Sequence, residues 1–364
     1  MTVVLVDGAR TPYGRFGRAL AGVDAIDLGA HAVRETLARC PELEPDHIVL
    51  GNVLQGGNGQ NPARQAAVRA GVRRDTPGTT VNDVCLASMT SVAIAASMVR
   101  EREADCVLVG GFDSMSRAPE GLMVHDGLYC SIQGVGMGEL SDAENARLEI
   151  TRAAQDMLAL RSHQRAAAAT AEGRLGEIIA PLPQLAQDEG IRTDTSLEKL
   201  AALPPAFGPE GTITAGNASQ MSDGGAAGLV TTLERARGQG LQPLAEVAGR
   251  AIVAGPDSSL HLRPAEAAQR LLERHGLRAA DIDLWEINEA FAGVVVASTA
   301  ALGIDPERVN VNGGAVAIGH PLAASGMGLL LALAYELRRR DAELGVATMC
   351  GGGGQGEALL LRAV

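Results

Sequence analysis

Lysine is all but missing from this chain: of 31 basic residues only Lys199 is one, and the arginines that replace it are scattered rather than gathered on one segment. That bias reads as composition and carries no functional message. The formal charge of −12, without long runs of either sign, argues against nucleic acid or an anionic membrane as the main partner. No apolar run reaches the roughly 18 residues that a membrane span needs. The cysteines (Cys40, Cys85, Cys106, Cys130, Cys350) are an odd set with no CxxC spacing. Met1 also leads straight into the strand-like Val3-Val4-Leu5-Val6 with no signal sequence, so a reducing cytoplasm is expected. No His or Cys pair has ligand spacing, and no metal is expected. A GxGxxG after the first strand and a GxSxG elbow are both lacking, which disfavours dinucleotide binding and serine hydrolysis. Aromatics make up only 2% of the residues, whereas 45 of 364 are glycine; that balance favours tight turns and loops able to cradle a ligand.

The hydrophobic share of 46% supplies a core for two domains or one duplicated unit, and the sequence favours duplication. Asp46-His47-Ile48-Val49-Leu50-Gly51-Asn52 resembles Asp281 to Asn288, each a short apolar strand ending in asparagine. An alanine-rich helix follows in both places (Ala63 to Gly71, Gly293 to Gly303), then a Val-Asn strand end at Val81-Asn82 and Val311-Asn312. A second helix (Ser88 to Arg100, Ser325 to Arg340) and a strand (Cys106 to Gly111, Gly345 to Cys350) complete each copy. Strands alternating with helices predict mostly parallel sheets with ligand sites at strand C-termini. The halves are expected at 1–239 and 240–364, with a polar inserted lid at about 114–221 broken by a helix over Thr151 to Glu172 that Gly173 stops. Another helix, Pro264 to His275, carries proline at its start, an i,i+4 pair in Glu266 and Arg270, and Gly276 as its stop.

Three positions offer reactive side chains in such settings. Cys85 lies where a strand gives way to a helix, whose dipole favours a thiolate, so it is the candidate nucleophile; a small buried hydrophobe is the alternative. His320, between Gly319 and Pro321, is a loop proton carrier or a cap for the next helix. Cys350 ends a strand and opens Gly351-Gly352-Gly353-Gly354, whose N–H groups can form an oxyanion hole or merely a turn. Asn288 and Glu289 place an amide and a carboxylate at a strand end, where either can cap a helix. Met89, Met98 and Met115 read as core residues and Asp113 as a turn residue.

Taken together, Asn82-Asp83-Val84-Cys85, Gly110 to Ser116, Thr214-Ala215-Gly216-Asn217-Ala218-Ser219, Asn288 to Ala292, Gly313 to His320 and Cys350 to Gly356 resemble, in order, the signature segments of the thiolase family. Arg10-Thr11-Pro12 and Gly59 to Gln65 extend the likeness over the whole chain. The resemblance implies an α/β thiolase fold, a duplicated five-layered α-β-α-β-α arrangement with an inserted loop domain. It implies reversible acyl transfer between acyl-CoA and acetyl-CoA. In that scheme Cys85 gives its proton to His320 and takes the acyl group, and Cys350 removes the α-proton of acetyl-CoA. One oxyanion is held by His320 and a water on Asn288, the other by the N–H groups of Cys85 and Gly352. Coenzyme A, a substrate rather than a resident cofactor, is expected against Met137, Arg192, Phe207, Ala215, Ser219, Ala290 and Phe291.

The chain departs from the family in places. Leu86-Ala87-Ser88 replaces the usual Gly-Ser-Gly and is expected to reshape the acyl pocket. Arg263 replaces a glycine and is expected to bring charge near it. Gly351 stands where a larger aliphatic residue is frequent, and Lys199 where a small one is, on a solvent-facing helix. Arg117 to Gly136, the segment that joins dimers into tetramers in relatives, is short, which keeps a homodimer open beside a dimer of dimers. Alternatives to acetoacetyl-CoA chemistry are a degradative 3-ketoacyl-CoA thiolase for longer chains and a non-catalytic acyl-binding subunit.

Overall fold

The computed structural model describes the backbone from Met1 to Val364 and every side chain except that of Glu120. The first half runs β1 (Val3–Arg10), α1 (Ala25–Arg39), β2 (His47–Gly51), α2 (Pro62–Ala70), β3 (Gly78–Val81), α3 (Ala87–Arg100) and β4 (Cys106–Ser114). An insertion carrying α4 (Met137–Arg147) and α5 (Arg152–Ala171) precedes the closing strand β5 (Ser222–Thr232). The second half repeats the plan with β6 (Ala245–Ala254), α6 (Arg263–His275), β7 (Leu284–Ile287), α7 (Ala292–Leu302), α8 (Leu322–Arg340), β8 (Leu344–Gly351) and β9 (Gln355–Arg362). The counterpart of β3 shrinks to one parallel bridge between Val309 and Trp285.

The strands form a ten-stranded sheet in the order β7-β8-β9-β6-β1-β5-β4-β2-β3, with the short Gly14–Arg15 pairing beside it on β5. Only β2–β3, β2–β4 and β7–β8 are parallel; the other pairs along the path are antiparallel. The expectation of mostly parallel sheets is therefore corrected. A parallel partner needs a long crossover, but β8 turns straight into β9 through Gly352, Gly353 and Gly354, the last two at φ +82° and +78°.

Helices α1 and α2 cover one face of the first half and α6 and α7 the far face of the second, while α3 and α8 pack on each other between the halves. A middle layer meets apolar neighbours on all sides, and α3 (ASMTSVAIAASMVR) is apolar nearly all round. Met89, Val92, Met327 and Leu330 join the central core with Leu5 and Met349. Val33, Leu50 and Phe112 anchor one outer core, Leu271, Trp285 and Val346 the other. Glycine permits the close crossing of the middle helices: a Cβ on Gly326 would fall 2.6 Å from Met89 Cγ.

Two local expectations also change. The 114–221 segment holds the further helix α4, started by the Glu139 carboxylate accepting the Gly136 N–H at 2.9 Å. Glu266 does not pair with Arg270; it pairs with Arg263 three residues back. Arg263 is buried and its charge needs a partner, whereas Arg270 has water.

Candidate active site

The middle layer delivers two of the reactive side chains. Cys85 stands two residues before α3, on a turn in which Val84 adopts φ +48°. A β-branched residue there is strained by about 1–3 kcal/mol, and Asn82 Oδ1 holds the turn by accepting the Val84 N–H at 3.2 Å. His320 stands two residues before α8, after Gly319 at φ +105°, where a Cβ would collide with Ser222 Oγ. The Ser222 hydroxyl accepts the His320 N–H at 3.2 Å. One helical turn before it, Ala315–Ile318, hangs from the buried Glu289 carboxylate. That carboxylate accepts from Val316 N–H at 3.0 Å, Ser162 Oγ at 2.6 Å and Asn310 Nδ2 at 3.0 Å.

The imidazole is oriented from both sides. Its Nδ1 lies 2.6 Å from Ser325 Oγ, and Ser325 in turn points its hydroxyl at the Pro321 carbonyl. The hydroxyl therefore accepts from Nδ1–H, leaving the lone pair on Nε2, 3.5 Å from Asn288 Nδ2. Burial pulls the His320 pKa down to about 4, and the N-terminus of α8 acts in the same direction. Burial pushes the Cys85 thiol up to about 12, against the backbone N–H groups of Gly352 and Cys85, which aim at its sulfur, and together with the Asp113 and Asp83 carboxylates. Cys350 is raised by burial and by its neighbour Cys85. The thiolate expected from the helix start is thus corrected for the resting protein: desolvation outweighs the dipole, leaving neutral thiols beside a neutral imidazole.

Cys85, Cys350, His320, Gly352 and Ala290 line one cavity of about 350 Å³. It adjoins a second of about 670 Å³ lined by Arg192, Phe207 and Ala215, and the two share Met137, Ser219, Phe291 and His320. Asn288 is buried beside His320, at the wall of a smaller cavity. The sequence-predicted residues are brought together in this way. Arg15 was missed; it lines the larger cavity close to Arg192, and its place just after Arg10-Thr11-Pro12 was the available signal. The Asp194 carboxylate, which acts on the Arg192 charge, is paired with Lys199 at 2.5 Å.

Three expectations about the surroundings fail. Leu86, Ala87 and Ser88 are fully buried and line neither cavity; Leu86 instead fills the space that the missing side chain of Gly351 leaves, where a Cβ would sit 2.7 Å from Leu86 Cγ. Arg263 also turns away, bonding the Ser259 carbonyl at 3.2 Å and pairing with Glu266. Asp113 is no turn residue: buried at the end of β4, it accepts from Leu54 N–H, Val53 N–H and Asn52 Nδ2, and from Ala323 N–H at the start of α8.

A duplicated α/β fold that carries two thiols and one imidazole from separate segments into one chamber defines a class of thiol-dependent catalysts. The chain matches the patterns of the thiolase N-terminal domain over residues 3–122 and 119–234 and of the thiolase C-terminal domain over 241–363. It is 44% identical to a probable acetyl-CoA acetyltransferase of Mycobacterium tuberculosis over 100% of this chain and 99% of that protein. It is 40% identical to the acetyl-CoA acetyltransferase of Escherichia coli over 98% of each. The structure of human mitochondrial 3-ketoacyl-CoA thiolase superposes with a TM-score of 0.96 at 33% identity, covering 100% of this chain and 99% of that one. The acetyl-CoA acetyltransferase of Bacillus anthracis gives 0.95 at 34%, with the same coverage. The chain belongs to the thiolase family, and it is an enzyme of the thiolase type.

Proposed function

We propose that this enzyme catalyses reversible acyl transfer between acyl-CoA and acetyl-CoA, joining two acetyl-CoA into acetoacetyl-CoA or cleaving a 3-ketoacyl-CoA. The observation that carries the reading is the convergence of Cys85, His320, Cys350 and the Gly352 N–H on one chamber. The Cys85 sulfur attacks the acyl thioester while its proton passes to His320 Nε2. The CoA thiolate leaves with a proton returned by the imidazole, and a Cys85 thioester remains. Cys350 then takes an α-proton from acetyl-CoA as it passes its own proton to His320 Nε2; the carbanion attacks the acyl-enzyme carbonyl, and the departing Cys85 sulfur recovers a proton from the imidazole.

Because both thiols and the imidazole rest neutral, charge is created only as the carbonyl oxygen gains electrons. The N–H groups of Cys85 and Gly352 are set for one oxyanion, and His320 with a water on Asn288 for the enolate of the other thioester. Arg15 and Arg192 suit the phosphates of coenzyme A, with Phe207, Ala215, Ser219, Ala290, Phe291 and Met137 along the pantetheine path. Leu122, Val124, Tyr129 and Ile132 leave apolar surface exposed on the short 117–136 segment, which supports assembly as a homodimer or dimer of dimers.

Mass spectrometry and turnover test the division of labour. Cys350→Ala should become acylated at Cys85 by acetyl-CoA yet lose carbon–carbon bond formation by at least about 10³-fold, whereas Cys85→Ala should do neither. Equal acylation of the two variants would overturn the assignment. Turnover with acetoacetyl-CoA against a medium-chain 3-ketoacyl-CoA separates the short-chain reading from the long-chain one.

A further inference from the structure

A third, small cavity of about 30 Å³ borders the proposed catalytic residues, and Glu286, Asn288, Asn312, Ser325, Tyr13 and Arg10 are among its walls. A water needs about 10–15 Å³ of such space and two to four polar partners, so there is room for one. Glu286 and Asn288 are two apart along one extended segment, which turns both side chains to the same face.

Each brings an unanswered group. Glu286 is 3% exposed, and its carboxyl feels burial and the nearby carboxyls of Glu289 and Glu336, opposed by the Arg165 guanidinium, with no hydrogen bond from a protein group among the described residues. Asn288 turns Nδ2 to His320 Nε2 and gives its main-chain N–H to Thr348, which leaves Oδ1 to be satisfied. The other polar walls are engaged: Arg10 with Asp188, Asn312 with Glu336, Ser325 with His320.

We propose that Glu286 is a positioning residue, one water in this cavity joining its carboxyl to Asn288 Oδ1 and thereby holding the amide with its Nδ2 hydrogens toward His320. A side-chain amide can sit in two orientations of the same shape, and only its bonding partners choose between them. The reversed amide would present a carbonyl oxygen to the imidazole and could not donate to a water or an enolate there. The inference rests on the thiolase reading of Asn288 and names what keeps that group in its working orientation.

Two variants and one structure test it. Glu286→Gln can hold the same water and should keep kcat within about threefold. Glu286→Leu fills similar space without polar atoms and should lower kcat about 10- to 100-fold, as loss of an outer hydrogen-bond partner does, with KM nearly unchanged. Adding Glu286→Leu to Asn288→Ala should cause little further loss, since both act through one group. Multiplying losses, or a Gln variant as damaged as the Leu one, would overturn the proposal. A high-resolution crystal structure of the intact enzyme should show a water bonded to both Glu286 and Asn288, and a dry cavity or a reversed amide would also overturn it. That structure decides the matter whatever the turnover; wild-type protein inert toward acetoacetyl-CoA and longer 3-ketoacyl-CoA alike would sink the proposed function instead.

Discussion

The residues around Cys85 show how two departures from a family pattern can be one change. Leu86 occupies the volume that a side chain at 351 would take, so the larger residue has moved from one cysteine's neighbour to the other's. Gly351→Ile alone should overpack the site and cost about 1–3 kcal/mol, and Leu86→Gly alone about 2–5 kcal/mol from the cavity left behind. Together they should cost about 1–3 kcal/mol less than their sum; denaturant unfolding that gives strictly additive losses would count against this fit. The pH dependence belongs at this scale too. With the His320 pKa down at about 4, the neutral base persists below the usual 6.5, so the acid limb of kcat/KM should fall near pH 4 and the profile stay flat from there through pH 6.5. An inflection at 6.5 would contradict a buried imidazole. Cys85, His320 and Cys350 were legible because glycines and strand ends flank them. Asp113 was not, since one carboxylate at a strand end has the same local sequence whether it faces water or four donors.

Among the elements, α8 depends on a residue far from it in sequence. The Asp113 carboxylate accepts the Ala323 N–H at 2.8 Å and the Val53 and Leu54 N–H groups at 3.1 and 2.9 Å, tying the loop after β2 to the helix start that carries His320. Asp113→Asn would turn an N–H2 toward N–H donors and should cost about 2–3 kcal/mol. Burial raises the Asp113 pKa to about 6, so its contribution is fully present below the ordinary carboxylate pKa and is lost as pH rises through 6. The stability gap between wild type and Asp113→Asn should therefore narrow between pH 4.5 and 7 in urea titrations; a widening gap would refute the account. Helices with strong periodicity and glycine stops were readable, whereas α4 was not, because its face is set by the cavity it borders. Strand direction was misjudged since a glycine run can close a hairpin as readily as it can cradle a ligand.

At the scale of the molecule, the halves are not separable beads. Helices α3 and α8 bury their sides against each other, and β1 pairs with β6 to join the sheets. Removing either half would strip an apolar layer, so unfolding should appear as one calorimetric transition with equal calorimetric and van't Hoff enthalpies, and residues 1–239 expressed alone should fail to give a cooperative fold. Two resolved transitions would show that the shared layer contributes little.

The repeat also matches the chemistry place for place. Asn52 and Asn288 each follow the corresponding strands β2 and β7, Cys85 and His320 each precede a middle helix by two residues, and Asp113 and Cys350 are each next to last in β4 and β8. Two identical half-length chains paired in this way would have held the same group at both places of each pair. Under the proposed assignment one half carries the acyl group on Cys85 while the other moves protons through His320 and Cys350, so the division of labour breaks a symmetry that the backbone keeps.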